Sequence, residues 1–333
     1  MPVTIRDVAR QAQVSVATVS RALSAPHQVN QLTRERVLAV AAELGYRPSP
    51  AARSLITGKT GNIGIVVPDL GNPFFTDVLK SVQSRARQTG YAVLVGDCDE
   101  DPAAEEELVR MMAKQVDGVL LCSPGIKDGQ ISQLAEETSL TLLNRRVRGI
   151  GATLMDSAGG MRDVVEHLAA LGHRRCAYLN GPRSSWSNRE RRRGLRAAAQ
   201  QHGVEVVELG PFPPRYDGGV RAADLAVAAD VTAVIAYNDI MALGLLARLR
   251  DRGIDVPGDL SVTGFDDLVY AAMCAPPLTT VAMPLEAAGR VAVDQLLGQF
   301  ADGGAAVTQL ELPTHLIVRS TTSTPPKAPR RKA

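Results

Sequence analysis

Two short helical patterns at the N-terminus, separated by a three-residue break, constrain this chain more than anything else in it. Thr4 can cap a helix whose apolar positions Ile5, Val8, Ala9 and Ala12 fall at i, i+3, i+4 and i+7, one face of a 3.6-residue period. Gln13 and Val14 end that pattern, Ser15 is a good cap for a second start, and Val19, Ala22 and Leu23 give the second segment an inward face. Two such helices of about two turns each, joined by a short turn, make a helix-turn-helix, whose second helix enters the DNA major groove with its N-terminal residues toward the bases. Val16, Ala17, Ser20 and Arg21 then look outward. Periodicity alone leaves an ordinary helical hairpin of an enzyme as an equal alternative.

The wording of the run separates the two. TIRDVARQAQVSVATVSRAL from Thr4, followed by VLAVAAELGYRPSPAARSL from Val37, resembles the lactose/galactose repressor (LacI) family almost position for position, and the likeness continues to about Arg319. That resemblance implies a homodimer on a pseudopalindromic duplex operator, with Thr4, Ile5, Ser15, Val16, Ala17, Thr18, Ser20, Arg21, Asn30, Arg53 and Leu55 at the DNA. Val16 and Ala17 can touch thymine methyls or sugars but cannot bond a base bidentately, whereas Arg21 can reach guanine or a phosphate.

Charge distribution agrees. The whole chain carries +2, but residues 1–60 carry +5, the segment from Thr321 carries +4, and the body between them carries −7. A basic head on an acidic body is the footprint expected when only the head meets phosphate. Thr33 can cap a third helix with Val37, Val40, Ala41 and Leu44 inward, and Gly45 supplies its stop. In SPAARSLITG, Ser49 can cap, Pro50 suits the first helical position, and Gly58 ends the turn. About eight helical residues are too few to be stable alone, so this hinge should order on DNA. The resemblance wedges Leu55 into the minor groove at the operator centre, an established way to unstack and bend a duplex; the alternative is that Leu55 packs on its own core.

From Asn62 onward short β-rich runs alternate with helical segments, which calls for βαβ units and parallel sheets. Strands are expected over residues 63–67, 92–96, 118–122, 141–144, 176–180, 233–237, 260–264 and 279–282, with helices between them. That is too much for one open sheet of ordinary size. The expected fold is an all-α helix-turn-helix headpiece followed by a two-lobed α/β core, resembling the periplasmic sugar-binding fold the family shares. Its expected domains are a headpiece over 1–48, a hinge over 49–60, a core over 61–320, and a disordered basic tail over 321–333. Within the core, lobe one spans about 61–156 plus 285–305, and lobe two about 157–280 plus 306–320.

Ligands of parallel sheets bind beyond the carboxyl ends of the strands. The residues standing there are Asp69, Phe74, Phe75, Asp97, Asp99, Asn144, Arg145, Asn238, Asp239, Asp266 and Asp267, with Asp156 at the lobe crossing. Carboxylates, amides, an arginine and ring faces suit a polyol. The resemblance assigns effector contacts to Phe74, Phe75, Asp156, Trp186, Arg191, Asn238 and Asp266, with Gly194 completing an R-x-x-G motif. Phe75 can instead be core, and Asp239 can simply cap the helix that starts at Ile240.

No cofactor or metal is expected. GNIGIVV lacks the glycine spacing of a dinucleotide loop, and no H-E-x-x-H, G-x-S-x-G or G-x-x-x-x-G-K-[ST] occurs. DCDED at Asp97 lacks the glycine and the closing glutamate of a calcium loop. Four scattered cysteines without C-x-x-C spacing read as reduced thiols. With no signal segment and no long apolar run, a cytoplasmic protein without membrane contact is expected. The sequence therefore reads as an allosteric DNA-binding regulator, most simply a repressor, controlled by a small molecule of the sugar class. An exported sugar-binding protein or a sugar-active enzyme on the same two-lobed fold is the alternative, and neither explains residues 1–60.

Overall fold

The computed structural model describes residues 3–24, 28–46, 58–301 and 308–326. The chain divides into two compact units, residues 1–62 with 115–117, and residues 63–114 with 118–333.

The first unit holds α1 (Ile5–Gln11), α2 (Val16–Ser24) and α3 (Gln31–Glu43). At the start of α1, Asp7 Oδ2 accepts from the Thr4 backbone N–H at 3.0 Å and from its hydroxyl at 2.7 Å. The turn is closed by Gln13, whose φ of 52° lies in the left-handed region, so that the Val14 N–H reaches back to the Ala9 carbonyl at 3.0 Å. Ser15 Oγ accepts the Thr18 N–H at 3.1 Å and opens α2. Val8, Ala9, Ala12, Val19, Ala22, Val37 and Ala41 form the small shared core. Helices this short persist only because each lends its apolar stripe to the other two. The cap of α3 is Asn30 rather than Thr33: Asn30 Oδ1 accepts the Leu32 N–H at 2.9 Å, and a short amide is among the strongest N-caps. Residues 47–57, with Ser49, Pro50, Arg53 and Leu55 of the expected hinge, lie outside the described residues.

The second unit runs β1 (Asn62–Val67), α4 (Pro73–Gln88), β2 (Ala92–Asp97), α5 (Pro102–Ala113), β3 (Val119–Cys122), α6 (Asp128–Glu137), β4 (Leu140–Leu143) and β5 (Gly151–Met155). It continues through α7 (Ser157–Ala170), β6 (Arg175–Leu179), α8 (Trp186–His202), β7 (Glu205–Leu209), α9 (Tyr216–Ala228), β8 (Ala233–Ala236), α10 (Asp239–Asp251), β9 (Ser261–Thr263), α11 (Val269–Met273) and β10 (Thr280–Ala282). It closes with α12 (Leu285–Ala301), β11 (Gln309–Leu312) and β12 (His315–Ile317). One lobe is a six-stranded sheet in the order β11-β5-β4-β3-β1-β2, and the other a four-stranded sheet in the order β7-β6-β8-β9. The pairings β1–β3, β3–β4, β4–β5, β5–β11, β6–β7, β6–β8 and β8–β9 are parallel. NIGIVV and AVIA are almost wholly buried, as strands covered on both faces must be.

Four strands escape the sequence pattern. β5 opens on a glycine, β7 is a half-exposed edge reading EVVEL, and β11 and β12 are short and partly exposed, so none shows a long apolar run. Two expected boundaries change with them. β11 pairs with β5 in the first-lobe sheet, whereas β12 pairs antiparallel with β10, so the segment expected in lobe two is split between the lobes. The expected tail is packed as far as residue 326. Thr321 is buried with Oγ1 accepting the Thr279 N–H at 2.8 Å, and the Ser323 N–H donates to Ser261 Oγ at 3.1 Å. Serine and threonine look like a linker in sequence, yet here their hydroxyls complete the second lobe's polar edge. Among the described residues no helix is long and apolar enough to cross a membrane.

Candidate ligand cleft and nucleic-acid interface

On α2, Val16, Ala17 and Arg21 are exposed on the face opposite the buried Val19 and Ala22. Arg21 Nε donates to the Ala17 carbonyl at 3.2 Å, holding its stem along the helix. Ser20 shares this face and is half-buried. The other expected contacts have local work of their own. Ser15 and Thr18 hydroxyls meet at 2.9 Å in the cap of α2, the Thr4 hydroxyl goes to Asp7, Asn30 caps α3, and Ile5 packs on the headpiece core. Arg53 and Leu55 lie outside the described residues.

In the second unit the carboxyl ends of the strands converge on one cleft between the lobes, as the parallel topology requires. Asn72, Phe74 and Phe75 follow β1, Glu100 follows β2, Ser123 follows β3, and Asn144 follows β4. The opposite wall is Ser187 and Arg191 of α8, Tyr237 and Asn238 after β8, and Asp266 after β9. Phe74 and Phe75 are buried and meet edge to face at 5.1 Å, so both are at once core and wall.

The Arg191 guanidinium is 3.7 Å from the centroid of the Phe265 ring and 4.7 Å from that of Tyr237. It donates through Nη1 to the Tyr237 carbonyl and through Nη2 to Asp266 Oδ1 at 3.2 Å. Only 3% of Arg191 and 5% of Asp266 are exposed. Burial pushes the Asp266 carboxyl up to about 6 against the pull of Arg191. Asp266 also has a φ of 117°, strained for a side chain with a Cβ and of the kind found at binding sites. Gly194, one turn after Arg191, allows α8 to approach α7: a Cβ there would stand 2.2 Å from the Ala158 carbonyl oxygen.

Asn238 lines the cleft while its Oδ1 caps α10 from the Met241 N–H at 2.9 Å. Asp239 is thus not the cap; it is wholly buried and accepts from the Leu268 N–H and the Thr280 hydroxyl, tying together the starts of α10, α11 and β10. Two expected contacts are not brought to the cleft. Asp156 caps α7 by accepting the Gly159 N–H at 2.7 Å, and its own N–H donates to Leu312, which places it at the strand crossings. Trp186 is half-buried at the start of α8, about 100° around the helix from Ser187, so the serine faces the cleft and the indole does not.

The cleft also contains groups that sequence reasoning left out. Glu105 of α5 is buried, with Oε2 accepting the Gly125 N–H at 2.9 Å, and burial pushes it up to about 7. Its signal was available: Glu105, Val109 and Met112 fall at i, i+4 and i+7, an acid on an apolar face. Asn144, with φ 59°, donates to Ser123 Oγ at 3.2 Å and, across the cleft, to Ser187 Oγ at 2.9 Å. Arg215 of the second lobe pairs with Asp69 at 3.0 Å and with Asp99, both of the first. Together these groups offer donors, acceptors and ring faces to a ligand enclosed by two lobes.

Comparison with known proteins gives the same division. Residues 4–49 match the family described as bacterial regulatory proteins, lacI family, and residues 165–322 match a periplasmic binding protein-like domain. The HTH-type transcriptional repressor CytR of Escherichia coli (strain K12) is 33% identical, over 96% of this chain and 96% of its own. A crystal structure of the lac repressor dimer bound to operator and the anti-inducer ONPF superposes with a TM-score of 0.86 at 30% identity, covering 97% of this chain and 100% of the other. The complex of the transcriptional regulator CelR with cellobiose gives 0.71 at 31% identity, covering 96% and 99%.

Proposed function

This chain belongs to the LacI family of bacterial regulatory proteins, and from that premise we propose that it is a cytoplasmic, homodimeric transcriptional repressor whose operator affinity is set by a sugar-class effector in the interlobe cleft. The observation that carries this reading is one chain holding both a helix-turn-helix with Val16, Ala17 and Arg21 outward and a cleft built on the buried Arg191–Asp266 pair. Neither an enzyme nor an exported binding protein has a use for the first.

Dimerisation is supported by apolar side chains left in solvent. Val269, Tyr270 and Met273 of α11 are exposed, Met273 to 74%, and edge strand β2 exposes Leu94 and Val95. Exposed apolar patches and open sheet edges mark association surfaces. A two-fold pair of headpieces needs a pseudopalindromic operator, with the Leu55 of each hinge at its centre and Arg53 at the DNA beside it. The effector acts by differential affinity: an inducer favours the arrangement that binds DNA poorly, a corepressor the one that binds it well.

Selection of duplexes from a random library by the full chain tests this, followed by titration in rising salt. A symmetric site should emerge, affinity should fall steeply with salt as counterions are released, and removal of residues 1–60 should abolish binding. Recovery of no preferred duplex by a dimeric full chain refutes it.

A further inference from the structure

Three buried polar atoms of the cleft residues have no hydrogen-bond partner among the described residues: Oε1 of Glu105, Oδ1 of Asn144 and Nε of Arg191. Glu105 is 4% exposed and Asn144 2%, so both oxygens are shielded from bulk solvent. Orphaned buried acceptors are costly, so each calls for a partner from outside the chain, a water, an ion or a ligand. Both first-lobe orphans are acceptors, so the ligand face against that lobe must present donors; the second-lobe orphan is a donor and calls for an acceptor.

Charge narrows the ligand further. Glu100, Glu105 and Asp266 line the cleft against one lining cation, Arg191, and its Nη atoms are already committed to Asp266 and the Tyr237 carbonyl. Arg145, buried behind the cleft, turns its Nη atoms to the carbonyls of Pro124 and Ile126 and to Asp128. An anionic ligand would meet three carboxylates, and of the two guanidinium groups only the Nε atoms are uncommitted.

We propose that Glu105 is a specificity-determining residue of this cleft: its Oε1 accepts a hydrogen bond from a hydroxyl of an uncharged, polyhydroxyl ligand and turns away ligands bearing phosphate or carboxylate. The inference rests on the reading of the cleft as the effector site. Glu105 does this while its Oε2 fixes the Gly125 loop, so one carboxylate both shapes the wall and reads the ligand.

Isothermal titration of the full chain with ribose, glucose, cellobiose and adenosine, beside ribose 5-phosphate, glucose 6-phosphate and glucuronate, tests it. At least one neutral compound should bind, and its anionic counterpart should bind at least tenfold more weakly. Because a donated hydroxyl favours the ionised form of Glu105, affinity should rise about tenfold from pH 6 to pH 8. Glu100, Asp266, Arg145, Arg191 and the thiols of Cys98 and Cys122 are the other charged and titratable groups facing this region. Glu105→Gln, which keeps an acceptor for Gly125, should lose about tenfold in affinity, lose most of that pH dependence and discriminate less against the phosphates. Neutral-ligand affinity and pH profile unchanged in Glu105→Gln overturn the assignment alone, as does wild-type binding of the anionic compounds as tightly as the neutral ones. The wild-type panel and pH profile stand even if the variant fails to fold. Intact operator binding with no neutral compound bound overturns the effector reading and this inference together.

Discussion

Replacing Asp266 with asparagine separates the electrostatic cost of the cleft from its binding role. The folded chain raises this carboxyl from 3.8 to about 6, so its stabilising contribution is complete below the unfolded value and is lost as pH rises through the folded one. Integrating the linkage for that shift gives a loss of about 1.4 kcal/mol between pH 5 and pH 8. The replacing amide does not titrate yet can still accept from Arg191 Nη2, so the buried guanidinium is not left bare. The stability of Asp266→Asn minus that of wild type should therefore increase by about 1.4 kcal/mol from pH 5 to pH 8, read as roughly 3 °C in melting temperature. Glu105 also titrates in this window and also loses stability as pH rises, but it is common to both proteins and cancels. Effector affinity should fall 10- to 100-fold in the variant at pH 7.5, since a hydrogen bond to a charged group contributes about 1.5–3 kcal/mol. Paired thermal melts across pH, with calorimetric titration at pH 7.5, check both halves. A melting difference that stays flat with pH would show that the carboxyl is not held near 6 and that the burial argument fails.

Further outcomes follow from the same geometry. Gly194→Ala forces a Cβ against the Ala158 carbonyl and should destabilise the core by about 1–3 kcal/mol in denaturant unfolding, while weakening effector binding through Arg191; a variant of unchanged stability contradicts the close approach. Arg215→Ala removes two part-exposed pairs between the lobes, each of about 0.2–1 kcal/mol, and should weaken effector affinity by about twofold to at most about thirtyfold with operator affinity unchanged, as measured by parallel ligand and DNA titrations. Leu55→Ala should weaken operator binding and reduce DNA bending in a gel-shift assay while leaving effector affinity intact; undiminished bending removes the wedge from the mechanism.

Much of the site was legible because the sequence carries its own periods. Arg191, Asn238 and Asp266 stand just beyond strand ends or on a helix beside them, where parallel topology alone puts ligand contacts. Trp186 falls outside the cleft lining because it stands one residue from Ser187 and a helix turns about 100° per residue, whereas Asp156 spends its carboxylate on capping α7 at the strand crossing. Which of two neighbours points inward is set by how α7 and α8 pack, and Gly194, two turns further along α8, sets that approach. Glu105 was passed over because it stands in a run of three glutamates, where an acid on the apolar face looks like part of a solvated stretch.

The N-terminal wording, the alternation of strand and helix, and the charge divided between head and body determined the family, the two-lobed architecture and a partner that is duplex DNA. Those features depend on neighbours within one or two turns or strands, so local order records them. Only the tertiary structure decided that β11 returns to the first lobe, that residues 321–326 finish the second, and that Glu105, Asn144 and Arg191 hold their unpartnered atoms around one enclosed space. Those depend on residues more than 40 apart in sequence meeting in low dielectric, where burial changes what a carboxylate or an amide can do, and no short-range pattern carries that information.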